Sequence, residues 1–208
     1  MSTTAKYIIK IVTLGNTQVG KTSIIRRYLE DKFEDNTLAT IGIDFKSKYI
    51  NFGKVVIKVL LWDTAGQERF QDITKQYYKN ANCALLVFDI TDKKSFQRVE
   101  FWYNQLKDNS KTQDLYIVLV GNKKDNETQR KVTSEEIKEY SKKNNIKYFE
   151  VSAKDNISIN DLFEDAITNT AKKVIVKSQE NEPECEDRIS LSMFGRETNN
   201  KDKTSRCC

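Results

Sequence analysis

Residues 7–14, Tyr-Ile-Ile-Lys-Ile-Val-Thr-Leu, form a mostly apolar run that predicts a buried strand, and the glycine-flanked turn 15–20 feeds a helix from Lys21 to about Glu30. Segments 43–50 and 55–62 surround Asn51-Phe52-Gly53-Lys54 and predict two antiparallel strands joined by a tight turn. Buried strands are expected at 83–89, 115–121 and 147–151, with helical stretches between them at roughly 68–79, 94–108 and 133–143. The last helix has the clearest pattern: Ile159, Leu162, Phe163, Ala166, Ile167, Thr170, Ala171 and Val174 recur at three- and four-residue intervals and make one wide apolar face that must pack on the sheet. Past Lys177 the pattern stops. The stretch Ser-Gln-Glu-Asn-Glu-Pro-Glu-Cys-Glu-Asp, with the chain's sole proline at Pro183, cannot bury enough apolar surface to offset its ordering entropy.

This alternation predicts an α/β fold: a six-stranded, mostly parallel sheet with one antiparallel edge strand and helices on both faces. Residues 1–177 are expected to form one domain and 178–208 a disordered tail. A chain of 208 residues with 38% hydrophobic content fills a single core of that kind. The basic excess is weak, 35 Lys and Arg against 30 Asp and Glu, and chooses no partner by itself. Residues 177–208 carry six basic and seven acidic side chains, so the end of the chain is not a polybasic membrane arm. Four cysteines are too few for a disulfide scaffold, no apolar leader precedes the first lysines, and no run approaches 18 apolar residues, which together point to a reducing compartment and to nothing that spans a bilayer. Histidine is absent, which excludes a histidine general base and argues against a typical zinc site.

Gly15-Asn16-Thr17-Gln18-Val19-Gly20-Lys21-Thr22 matches GxxxxGK[ST] between a strand and a helix, the context of a P-loop NTPase fold. In such a loop the glycines allow close backbone approach, successive N–H groups and the helix N-terminus surround a β-phosphate, Lys21 reaches the β/γ oxygens and the Thr22 hydroxyl ligates Mg²⁺. The nucleotide-binding stretch is counted through Ser23. Asp63-Thr64-Ala65-Gly66 ends the 55–62 strand beside that loop, so Asp63 can hold the Mg²⁺ through water and Gly66 can offer its N–H to a γ-phosphate. Asn122-Lys123-Lys124-Asp125 follows another strand: a carboxylate at Asp125 accepts the N1–H and 2-amino hydrogens of guanine, which adenine cannot offer, while Asn122 and Lys123 brace the loop and cover the base. Ser152-Ala153-Lys154 closes the other side of the base through backbone N–H to the guanine O6. Taken singly, the first three strings also describe a glycine turn, a strand-end turn and a polar loop; together they favour a guanine nucleotide.

These residues resemble the Ras-like small GTPase superfamily. Thr40-Ile41-Gly42-Ile43-Asp44-Phe45, Trp62-Asp63-Thr64-Ala65-Gly66-Gln67-Glu68-Arg69-Phe70 and Ile73-Thr74-Lys75-Gln76-Tyr77-Tyr78 narrow the likeness to the Rab family of membrane-traffic GTPases, over residues 7–176 and the terminal cysteine pair. The resemblance implies that Thr40 completes the Mg²⁺ shell, Phe33 packs edge-on against guanine, and Gln67 positions the hydrolytic water, with Gln67 and Lys21 the catalytic pair. It also implies that Phe45, Trp62 and Tyr77 form an effector surface, although as aromatics they also suit a core. The match is imperfect in the phosphate loop: an acidic residue, Ser and a small Gly or Ala are usual where this chain has Asn16, Thr17 and Gln18.

The expected activity is hydrolysis of GTP to GDP and phosphate, slow without an activating protein, in a switch that regulates vesicle traffic; the alternative is a silent GTP-binding module. Expected partners are an exchange factor, a GTPase-activating protein, effectors, a prenylation escort and a GDP dissociation inhibitor, with no nucleic acid. Cys207 and Cys208, at the end of the polar tail, are expected to carry two lipids, because one chain gives only marginal membrane binding and the tail offers no basic second signal. That places the protein on the cytoplasmic face of endomembranes or the plasma membrane, with a soluble cytosolic pool.

Overall fold

In the computed structural model, which describes residues 5–35, 40, 43–64, 80–110 and 114–180, burial deepens along the first strand to an unbroken run over residues 11–14 and is complete through the central strand at 83–89. The elements are β1 (Tyr7–Leu14), α1 (Lys21–Glu30), β2 (Ile43–Phe52), β3 (Val55–Thr64), β4 (Cys83–Asp89), α2 (Lys93–Gln97), α3 (Val99–Asn109), β5 (Tyr116–Asn122), a 3₁₀ helix (Lys124–Gln129), α4 (Ser134–Asn144), β6 (Lys147–Glu150) and α5 (Ile159–Glu180). The strands form one sheet in the order β2-β3-β1-β4-β5-β6. Edge strand β2 is antiparallel to β3, pairing Phe45 with Trp62 and Phe52 with Val55. Every other pairing is parallel, as expected from the alternation of strands and helices.

Successive side chains of a strand point to opposite faces, so one run of β-branched and aliphatic residues supplies two cores. Ile9 and Ile11 of β1 face α1 and α5, where they join Ile24, Ile25, Leu162, Phe163 and Ala166. Val12 and Leu14 face the other way and pack with Trp102 and Leu106 of α3 and Ile137 of α4. Each fully buried aliphatic side chain stabilises the fold by about 1.5–3 kcal/mol relative to exposure. Strand β4 is buried along its whole length, the condition of a central strand covered on both faces.

Three boundaries differ from expectation. The helix expected over 94–108 is two helices that meet at Arg98: Asp92 caps the first turn of α2, and the Asp89 N–H donates to Ser95 Oγ at 3.0 Å, which ties α2 to the end of β4. The 3₁₀ helix after Lys123 gave no apolar periodicity to detect. Helix α5 runs to Glu180, three residues beyond the expected domain boundary at Lys177; the rest of the tail, with Cys207 and Cys208, lies outside the described residues. The helix expected over 68–79 also lies outside them. Among the described residues no helix is long and apolar enough to cross a membrane.

Candidate functional site

Parallel strands leave their carboxyl ends along one edge of the sheet, and loops from those ends converge there. β1 leads into the phosphate loop, β3 ends at Asp63 and Thr64, β4 at Asp89, β5 at Asn122, and the segment after β6 supplies Ser152 to Lys154. Between them is a cleft of about 530 Å³ lined by residues of the phosphate loop and α1, the segment after α1, and the loops after β5 and β6.

The phosphate loop depends on two glycines. Gly15 has φ +149°, and a Cβ there would sit 2.1 Å from the carbonyl oxygen of Val87 in β4. Gly20, at φ +93°, begins α1, and its Cβ would meet the Asn122 amide nitrogen at 2.2 Å. Helix α1 has no side-chain cap and no acidic residue in its first turn, so its first N–H groups and the positive end of its dipole are turned to the loop. Lys21 is buried, and its ammonium donates to the carbonyls of Gly15 at 2.9 Å and Asn16 at 2.8 Å, curling the loop around it. Burial lowers its pKa to about 8, against the opposing pull of the Asp63 carboxylate. Burial likewise raises the pKa of Asp63, although the Thr22 hydrogen bond and Lys21 pull it down. Both charged forms gain from an opposite charge brought into the cleft, an anion beside Lys21 and a cation beside Asp63.

Thr22, Thr40 and Asp63 converge. The Thr22 hydroxyl is 2.6 Å from Asp63 Oδ2 and 2.9 Å from the Thr40 hydroxyl, while Asp63 Oδ1 is buried without a hydrogen-bond partner. Two hydroxyl oxygens beside a carboxylate with an unsatisfied oxygen are a hard oxygen donor set, which fits Mg²⁺.

Across the cleft, Asn122 acts as a bracket. Its amide donates to the Val19 carbonyl at 2.9 Å and its carbonyl oxygen accepts from the Ala153 N–H at 3.2 Å, joining the phosphate loop to the loop after β6. Ser152 is fully buried and its hydroxyl donates to Asp125 Oδ1 at 2.6 Å, holding that carboxylate at the mouth of the cleft. Lys123 is in the left-handed region at φ +68°, and its ammonium pairs with the buried Asp89 at 2.6 Å.

The structure therefore brings Thr17, Gln18, Gly20, Lys21, Thr22, Ser23, Phe33, Thr40, Asn122, Lys123, Asp125, Ala153 and Lys154 to one cleft. Three expected residues are near it with their side chains otherwise engaged: Asn16 accepts from Trp102 Nε1 at 3.2 Å, Val19 is in the core, and Ser152 holds Asp125. Phe45 and Trp62 stack on the sheet face with centroids 5.4 Å apart, and Phe45 is exposed. Gly66, Gln67 and Tyr77 lie outside the described residues. Residues not anticipated from sequence are Glu34, Asp35 and Asn126 in the cleft lining and Asp89 beneath Lys123. The signal that locates Asp89 is its place at the end of the neighbouring parallel strand.

Gln18 has φ +64°, a conformation that costs a non-glycine residue about 1–2 kcal/mol. Gln18→Gly relieves that strain and loses some of the gain to backbone entropy, so the variant is expected to be more stable by about 0.5–1 kcal/mol. Urea unfolding at matched nucleotide concentration checks it, and an unchanged or lower midpoint would refute the strain.

A statistical model of the Ras family matches residues 10–172. The chain is 41% identical over 165 residues to the Ras-related protein Rab-11C of Dictyostelium discoideum, covering 79% of this chain and 73% of that protein. It is 38% identical over 173 residues to Rab-2B of the same organism, covering 83% and 85%. This chain belongs to the Rab branch of the Ras family. Similarity to the GTP-binding protein ypt2 of Schizosaccharomyces pombe, 37% over 202 residues, extends across 97% of this chain and 96% of that one. As a member of this family the chain is a small GTPase, and the Rab branch serves vesicle traffic. The six-stranded mixed sheet is the family's α/β fold.

Proposed function

We propose that the chain is a slow timer that binds GTP in this cleft, hydrolyses it and reports the difference through its switch segments, about 34–42 and 64–75. The observation that carries the proposal is the meeting, in one cleft, of the buried Lys21, the Thr22–Thr40–Asp63 oxygen cluster and the Asp125 carboxylate held by Ser152. Asp125 reads the base. Lys21 exchanges its two backbone carbonyls for phosphate oxygens and stabilises charge on the transferring group. Thr22 and Thr40 would hold Mg²⁺, with Asp63 holding it through water, and the ion would neutralise charge on the phosphate oxygens. In the reaction a water oxygen bonds to the γ-phosphorus as the bond from phosphorus to the β–γ bridging oxygen breaks, giving GDP and inorganic phosphate. Gln67, by family resemblance, orients that water. Ordering of Thr40 by the γ-phosphate and the metal is what effectors read beside Phe45 and Trp62.

An activating protein supplies the missing cation, and an exchange factor reloads the site. Geranylgeranyl groups on Cys207 and Cys208, added with an escort protein and shielded by a GDP dissociation inhibitor, hold the protein to cytosolic membrane faces. A silent switch is the second reading, because the bulkier Thr17 and Gln18 both line the cleft. Phosphate release over many turnovers separates the two. The wild type is expected to turn over slowly and to accelerate with an activating extract, and Gln67→Leu to lower the stimulated rate by about 100-fold or more. Equal stimulated rates would remove Gln67 from the mechanism, and no release under any condition would establish the silent switch.

A further inference from the structure

Arg27 lies six residues past Lys21 in the last turn of α1, outside every motif of the nucleotide site, yet its guanidinium makes four hydrogen bonds to two separate segments. Nε donates to the Ala153 carbonyl at 2.8 Å and Nη2 to the Lys154 carbonyl at 2.9 Å. Nη1 donates to the Asp31 carbonyl at 2.9 Å and to Asp31 Oδ1 at 3.0 Å. Asp31 is the left-handed C-cap of α1, at φ +52°, where the chain leaves the helix for Phe33 and the first switch. The Asn156 side-chain amide also donates to Asp31 Oδ1, at 3.2 Å, closing a ring between the exit of α1 and the loop after β6. The Arg27 side chain is only 14% exposed although Asp31 is 78% exposed, so the guanidinium is largely covered while its ion pair to Asp31 reaches the surface.

We propose that Arg27 is the positioning residue that sets the residence time of the nucleotide, a role that rests on the nucleotide reading of the cleft. Peptide planarity gives the mechanism. A trans peptide points its C=O and N–H in opposite directions, so holding the Ala153 and Lys154 carbonyls fixes where the N–H groups of Lys154 and Asp155 point. Ala153 and Lys154 line the cleft; the Ala153 N–H is taken by Asn122 and the Asp155 N–H by the Ser152 hydroxyl, which leaves the Lys154 N–H to meet the carbonyl oxygen of a base. The same guanidinium pins the exit of α1, two residues before Phe33, which also lines the cleft. One side chain thus couples the two walls that enclose a base to the helix whose N-terminus receives the phosphates. A planar fork with donors at fixed angles can span two successive carbonyls and a third at once; an ammonium on a flexible stem cannot hold all three.

The test uses the full-length chain loaded with a fluorescent GDP analogue. Arg27→Lys and Arg27→Gln are each expected to raise the dissociation rate by about 10- to 100-fold, the loss of two charge-assisted hydrogen bonds. The increase should be the same in millimolar Mg²⁺ and in chelator, because Arg27 touches neither the phosphate loop nor the metal ligands. Hydrogen exchange of the GDP-bound variants should rise in the peptide covering 152–156 and remain at the wild-type level in 15–22, a pattern that general destabilisation of α1 would not produce. Dissociation rates within threefold of wild type, or faster exchange spread equally over both peptides, would overturn the proposal. If the wild type bound no guanine nucleotide, the reading of the cleft itself would fall and this role with it.

Discussion

Asp125→Asn is expected to weaken GTP and GDP binding by about 2–4 kcal/mol, roughly 30- to 1,000-fold, and to shift preference toward xanthine nucleotides. In the proposed site the carboxylate would accept from two guanine N–H groups at once, whereas an amide keeps one acceptor and presents a donor where guanine also presents one. Xanthine has a carbonyl at that position and accepts from the amide. The environment of Asp125 enlarges the effect: its Oδ1 already accepts from the buried Ser152 hydroxyl at 2.6 Å, so a single remaining carbonyl oxygen would have to serve both Ser152 and the base. Calorimetric titration with GDP, GTP, ATP and xanthosine diphosphate checks this. Wild-type affinities for ATP and GTP within tenfold of each other would defeat the assignment of Asp125.

The other large effect is structural in origin. Gly15→Ala is expected to destabilise the protein by about 3–5 kcal/mol, because overpacking and a strained backbone act at the same residue. The added Cβ would lie 2.1 Å from a backbone oxygen of the central strand β4, which has no rotamer to change and no room to retreat among fully buried neighbours. A new position for Gly15 also displaces the carbonyl that receives Lys21. Thermal unfolding at matched nucleotide concentration should fall by about 10 °C, and nucleotide affinity should fall with it. A variant that melts with the wild type and binds GDP equally well would show that the loop has slack that the backbone geometry denies it.

Elements with strong periodicity or local chemistry were legible before any coordinates. The apolar face of α5 begins at Ile159 as its spacing requires, and Thr133 and Glu136 close a capping box at the start of α4 where a helix was expected. The phosphate-loop motif is legible for a similar reason: Lys21 closes the loop on the carbonyls of Gly15 and Asn16, six and five residues back, so spacing alone carries that contact. The antiparallel edge was readable from the tight turn at 51–54, which leaves the chain no length for a crossover.

Tertiary structure alone decided the polar joints that hold the site together. Arg27 meets the Ala153 carbonyl across 126 positions of sequence, Asn16 meets Trp102 across 86, and Asn122 meets Val19 across 103. None has a periodicity, and each pairs a common polar residue with a backbone group or a distant side chain that any sequence offers in abundance. Likewise, the burial that depresses the pKa of Lys21 and raises that of Asp63 is a property of the closed sheet edge and not of either residue type. Hydrophobic pattern and phosphate-loop spacing therefore determined which elements form and what chemistry they carry. The strand order β2-β3-β1-β4-β5-β6 decided which loop ends become neighbours, because a hydrogen bond forms only between groups that folding brings within about 3 Å.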